Sequence, residues 1–198
     1  MHTHSPINWI LIFGLLILGT GVFLVSLYFA SIAGLRNKLG LVGGDLRTAV
    51  HPNELSRGAY EAGGIPTCDF KAAVVPIPQY LVARPEERVQ LGLRLGELRI
   101  KCGIAYILQG NVDRGVFTLI KGMYYERANS QETLELVEHD RQQCAKLFDA
   151  ERDYGYVEAF LEASEGNSRS VVESIYSEVR DVRGRVAERC LDAGDTTF

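Results

Sequence analysis

Four cysteines are the residues in this 198-residue chain whose chemistry would matter most if they met. Cys68, Cys102, Cys144 and Cys190 are spread through the C-terminal two thirds, without the paired C-x2-C spacing that closes a structural zinc site. A metal centre is therefore not expected. Cys102, Cys144 and Cys190 each fall on an apolar helical stripe, where a free thiol packs as a small hydrophobe. Packed thiols are the favoured reading, and pairing between two of them stays open should the domain face an oxidising compartment. The histidines offer less. His139 stands between Glu138 and Asp140 on a predicted helix, where consecutive side chains point in different directions and form no triad. His51 precedes a proline, and His2 and His4 lie at the amino terminus.

Other catalytic patterns are absent. The chain contains neither H-E-x-x-H nor G-x-S-x-G, and the LVGGD stretch at Leu41 to Asp45 lacks the Lys and Ser or Thr of a phosphate loop. No catalytic, cofactor-binding or metal-binding residue is assigned, and no cofactor is expected. The net charge of -4 carries no clustered basic surface, so nucleic acid is not an expected partner.

The elements that would carry any site begin with a membrane anchor. From Ile7 to about Ala33 the chain has no charged residue, and about 20 apolar residues suffice to cross a bilayer as one helix. A cleaved signal peptide fits less well, because the lead-in lacks Lys and Arg and the apolar run is too long. Ser26, Ala30 and Gly34 recur every four residues and form a small-residue stripe suited to helix packing in the membrane. Arg36, Lys38 and Arg47 follow the span, which by the positive-inside rule favours a cytoplasmic C-terminal domain.

Behind the anchor, Gly and Pro punctuate the chain up to Pro85. A short helix around Asn53 to Ala62 and an extended piece through Lys71 to Tyr80 are expected within a tether whose second half packs onto the domain. From Pro85 a helical period takes over. A first long helix should start at Pro85, with Glu86 and Glu87 at its positive end, and stop at the Gln109–Gly110–Asn111 turn. A second helix carries Val112, Val116, Ile120 and Met123 on one face, completing an antiparallel hairpin. A third is expected to be capped by Ser130 and to run along Leu134, Val137, Cys144, Phe148, Tyr154, Val157 and Leu161. A fourth follows Gly166–Asn167–Ser168 with the clean seam Val172, Ile175, Val179, Val182, Val186 and Cys190, of bundle or coiled-coil type. The fold class is thus all-α: segment 1–34 as tail and transmembrane helix, 35–84 as tether, 85–192 as a three- to four-helix bundle, and 193–198 as a C-terminal tail.

Ala83 to Ala128 resembles a bacterial helical domain of unknown function found in membrane-tethered or secreted proteins. The match rests on Pro85, Glu86, Glu87 and Arg88, then Leu95, Glu97, Leu98 and Arg99, then Gly110 and Asn111, with Arg84 where the family carries a capping Asp. The resemblance implies a helical domain outside the cytoplasm and brings no catalytic residues, so the side of the membrane stays open. The same segment is similar to one tetratricopeptide unit through Gly103, Tyr106, Gly110 and Leu119, but no second copy appears at that repeat's spacing.

The expected function is a non-enzymatic, single-pass membrane-anchored scaffold that binds another protein or itself through the Val172, Ile175, Val179, Val182 and Val186 seam. The alternatives are an accessory subunit or enzyme of the cell envelope with its site in a bundle cleft, and a redox sensor working through the seam cysteines.

Overall fold

A computed structural model describes residues 48–69, 71–72, 76–147 and 154–191. The chain divides into two compact units, Met1–Asp45 and Leu46–Phe198, and every described residue belongs to the second. The expected membrane span over 7–33, its Ser26, Ala30 and Gly34 stripe, and Phe148 of the third seam lie outside the described residues. Among the described residues no helix is long and apolar enough to cross a membrane.

The second unit is mostly helical. Its elements run β1 (Ala49–Val50), α1 (Pro52–Glu61), α2 (Ile77–Val82), α3 (Pro85–Leu108), α4 (Val112–His139), a 3-10 turn (Arg141–Gln143), α5 (Cys144–Leu147), α6 (Gly155–Ala163), β2 (Ser164–Glu165) and α7 (Asn167–Leu191). β1 and β2 form one antiparallel pair, Ala49 opposite Glu165 and Val50 opposite Ser164. The Thr48 hydroxyl donates to that of Ser168 beside it. This pairing, which no alternating pattern announces in two residues, fixes the entry of the chain onto α7.

The α3–α4 hairpin forms where local signals placed it. Pro85 occupies the first helical position, where its missing N–H costs nothing. Glu87 reaches back to Arg84, bonding its guanidinium at 2.6 Å, so the carboxylate closes the start of the helix. Gly110 ends α3 at φ 84°, with Gly110 N–H on Ile107 O and Asn111 N–H on Tyr106 O, both at 2.9 Å. That pair of bonds is the Schellman cap that only a left-handed residue permits without strain.

Facing glycines bring the two helices together. A Cβ added at Gly103 would lie 2.8 Å from Gly115 O, one at Gly115 2.6 Å from Gly103 O, and one at Gly122 2.8 Å from Gly96 O. The backbones therefore touch, as in small-residue helix pairs. Leu95, Ile104, Ile107, Val116, Leu119, Ile120 and Met123 fill the core around this line of contact.

Three expectations need correction. α4 does not stop for a new helix at Ser130 but continues to His139, and Ser130 is buried in mid-helix rather than capping one. The polarity of this stretch is taken up within the helix in part, Asn129 Nδ2 donating to Tyr125 O at 2.7 Å and Thr133 Oγ1 to Asn129 O at 2.7 Å, while the buried Ser130 Oγ has no hydrogen-bond partner among the described residues. The described part of the expected third helix is accordingly divided among α4, α5 and α6. Ile77–Val82 is helix rather than extended chain, because Pro76 and Pro78 sit at its start, where proline is tolerated. The short helix around Asn53 to Ala62 is present as α1, and it packs on α6 while α2 packs on α3. Much of the expected tether is thus part of the folded unit.

Candidate functional site

All four cysteines are paired. Cys68 bonds Cys102 and Cys144 bonds Cys190, with Cα atoms 4.4 and 5.6 Å apart. This overturns the reading of packed free thiols. The seam positions of Cys102, Cys144 and Cys190 are buried as expected, but the burial serves cross-links between segments distant in sequence. Cys68–Cys102 ties the stretch after α1 to the C-terminal half of α3. Cys144–Cys190 ties α5 to the end of α7, in a cluster with Leu134, Val137, Val182 and Val186.

The α7 seam is buried too. Val172, Ile175, Val179, Val182 and Val186 are between 0 and 6% exposed, so helices of the same chain cover the face expected to meet a partner. A six-position apolar stripe needs a mate, and here α4 supplies it by running alongside α7. At the edge of that contact a groove of about 500 Å³ remains, lined by Arg127, Ala128 and Gln131 of α4 and Glu178, Asp181, Val182 and Arg185 of α7. Arg127 Nη1 and Glu178 Oε2 pair across it at 2.9 Å, both half-exposed.

Polar side chains converge inside the bundle. Glu126 on α4 is fully buried, its carboxylate filling the space left open by Gly96, and it accepts the Tyr154 hydroxyl at 3.1 Å. Tyr154 packs on Tyr176 with ring centroids 5.6 Å apart, and the Tyr176 hydroxyl donates to Glu158 at 2.6 Å. Arg183 and Arg180 lie over the Tyr154 and Tyr176 rings. Asn129 likewise fills the space at Gly92. Of these groups the sequence singled out Tyr154 alone, and as an apolar seam position rather than as a hydrogen-bond donor. The available signal was the spacing Gly92, Gly96 and Gly103, since a glycine on an inward helix face makes room for a polar side chain opposite.

A second polar face lies where α2, α3 and α4 meet. The Arg99 guanidinium stands 4.9 Å over the Tyr125 ring, and Tyr80 meets Tyr125 edge-on at 5.7 Å. Burial pushes the Tyr80 hydroxyl above its ordinary value, against a hydrogen bond with Asn129. Burial also holds the Lys121 ammonium below its ordinary value, and the neighbouring Arg99 charge adds to this. Arg88 and Glu132 pair at the upper edge of the same face, Arg88 Nε donating to Oε1 at 3.0 Å.

His139 is exposed on the last turn of α4, and His51 lies 4.0 Å from Glu165 at the exposed edge of β1. Among the described residues no group of three or more His, Cys, Asp or Glu is arranged to hold a metal ion. No protein-family model matches the chain, and comparison with curated proteins and with solved structures finds no similar protein.

Proposed function

We propose that this chain is a single-pass membrane-anchored protein whose disulfide-stapled helical domain stands on the oxidising side of the membrane and binds another protein, without catalysis of its own. The observation that carries the reading is the use of all four cysteines in two disulfides. Thiols in a cytosol are kept reduced, whereas secreted and envelope domains keep such bonds. This outweighs the orientation suggested by Arg36, Lys38 and Arg47, a statistical bias carried by three residues. The anchor itself rests on the uncharged run from Ile7 to about Ala33.

The α7 seam no longer serves as the binding face, since its residues are buried within the domain. The groove between α4 and α7 takes its place, offering charges of both signs from Arg127, Glu178, Asp181 and Arg185 around the apolar Val182 and Ala128. The buried Glu126–Tyr154 pair is the feature that speaks for an envelope enzyme or accessory subunit instead. Its carboxylate is enclosed and hydrogen-bonded, which suits a group that fixes the packing of α6 against α4.

A compartment-sensitive reporter fused to Phe198, combined with photo-crosslinking from Gln131 in the groove, tests both halves of the reading. An external reporter signal with a discrete crosslinked product supports it. A cytoplasmic signal overturns the orientation, and no product from Gln131 beside one from an α1 position overturns the groove.

A further inference from the structure

The face where α2, α3 and α4 meet holds two positive charges that no acidic side chain balances among the described residues. Arg99 is only 9% exposed, and its Nε has no hydrogen-bond partner. Lys121 and Tyr125 are four residues apart on α4 and so share one face, with the Arg99 guanidinium over the Tyr125 ring. Among the described residues neither cation has an ion pair or hydrogen bond.

The acids of the surrounding elements are engaged elsewhere. Glu97 pairs with Lys101, Glu87 with Arg84 and Glu132 with Arg88. Asp69 accepts the backbone N–H groups of Lys71 and Ala72, and Glu126 turns to Tyr154. A buried guanidinium keeps its charge at any accessible pH and demands a counter-charge. Lys121, half-buried and near enough for the Arg99 charge to weaken its hold on its proton, adds a second donor whose charged form a counter-charge would favour.

We infer that Arg99, seated on Tyr125, and Lys121, one turn before Tyr125 on the same face of α4, form a binding site for a phosphate group. A guanidinium fork and a single ammonium present donors from two helices to one tetrahedral dianion, an arrangement that matches its charge of about two. The phosphate can come from a soluble phosphomonoester or inorganic phosphate, or from a phospholipid headgroup.

The test uses the full chain in neutral detergent. Binding of inorganic phosphate against chloride at equal ionic strength is measured by calorimetry, and the Lys121 ammonium is followed by carbon NMR of labelled lysine. Saturable phosphate binding, a rise in the Lys121 titration midpoint, and at least tenfold weaker binding in Lys121→Gln are expected. A second arm replaces phosphate with short-chain phosphatidic acid in the same micelles, with phosphatidylcholine as control. Binding of phosphatidic acid alone, lost in Lys121→Gln, keeps the site and assigns its source to lipid. Failure of both ligands to shift Lys121, or undiminished binding in Lys121→Gln and in a folded Arg99→Gln, overturns the inference.

Discussion

Replacing Gly115 by alanine should destabilise the domain, whereas the same replacement at Gly184 should stabilise it. Both residues sit in helices, α4 and α7, so each substitution gains about 1 kcal/mol from helix propensity. At Gly184 a new Cβ meets nothing within 4 Å, and the gain of about 0.5–1 kcal/mol is kept. At Gly115 the new Cβ would lie 2.4 Å from Ile107 Cγ1, 2.6 Å from Gly103 O and 2.8 Å from Ile107 N. Two of those atoms belong to the backbone of α3, so no side-chain rotation relieves the overlap and the helices must part. Overpacking of this kind costs on the order of 3 kcal/mol, which leaves a net loss of about 2 kcal/mol after the propensity gain. At about 2–4 °C per kcal/mol for a domain of this size, Gly115→Ala should melt roughly 4–8 °C below the parent and Gly184→Ala a few degrees above it. Thermal unfolding of the full chain in detergent, followed by circular dichroism without reductant, reads both. A Gly115→Ala variant that melts at or above the parent would refute the claim that α3 and α4 meet backbone to backbone.

The disulfides close loops with sequence separations of 34 and 46, so removing either pair as a double serine variant should cost up to about 4 kcal/mol by chain entropy, measured by urea denaturation. Graded reductant should open Cys68–Cys102 before Cys144–Cys190, because Cys68 is half-exposed while Cys144 and Cys190 are buried, and mass mapping of alkylated thiols gives the order. Val179→Asp and Val186→Asp should unfold the domain rather than merely release a partner, since an unpaired buried carboxylate costs on the order of 3–5 kcal/mol; a folded circular dichroism spectrum would contradict this. Lys121 binds its proton less tightly in the folded chain than at its ordinary 10.5, so the unfolded state holds more protons and stability should rise with pH towards 10.5. Lys121→Gln should flatten that slope and raise the urea midpoint at neutral pH in phosphate-free buffer.

What could be read from the sequence was what is decided locally. Pro85 and Gly110 bound α3 because a proline at the first position and a left-handed glycine at the end act within one turn. The α7 stripe was equally plain, since six apolar positions at helical spacing must be buried somewhere. What was missed depends on distant partners. Whether that stripe faces a second protein or α4 of the same chain is a question of tertiary packing, which periodicity leaves open. Ser130 has the chemistry of a cap, and the packing of α4 against α3 and α7 carries the helix through it to His139. The cysteines read as core residues because their positions are indeed apolar. Their pairing joins segments 34 and 46 residues apart, beyond the reach of any local pattern. Arg99 entered only through the family resemblance and Lys121 not at all, because the burial of one and the lack of a hydrogen-bonding or ion-pairing neighbour for either, among the described residues, are set by tertiary packing.

Two disulfides hold the domain, and the proposed oxidising side of a membrane follows from them. The most direct test traps thiols in intact cells with acid, alkylates the denatured full chain before and after reduction, and maps the linked peptides by mass spectrometry. The account predicts no alkylation before reduction and linked peptides joining Cys68 to Cys102 and Cys144 to Cys190. Four alkylated cysteines in the unreduced chain would contradict it.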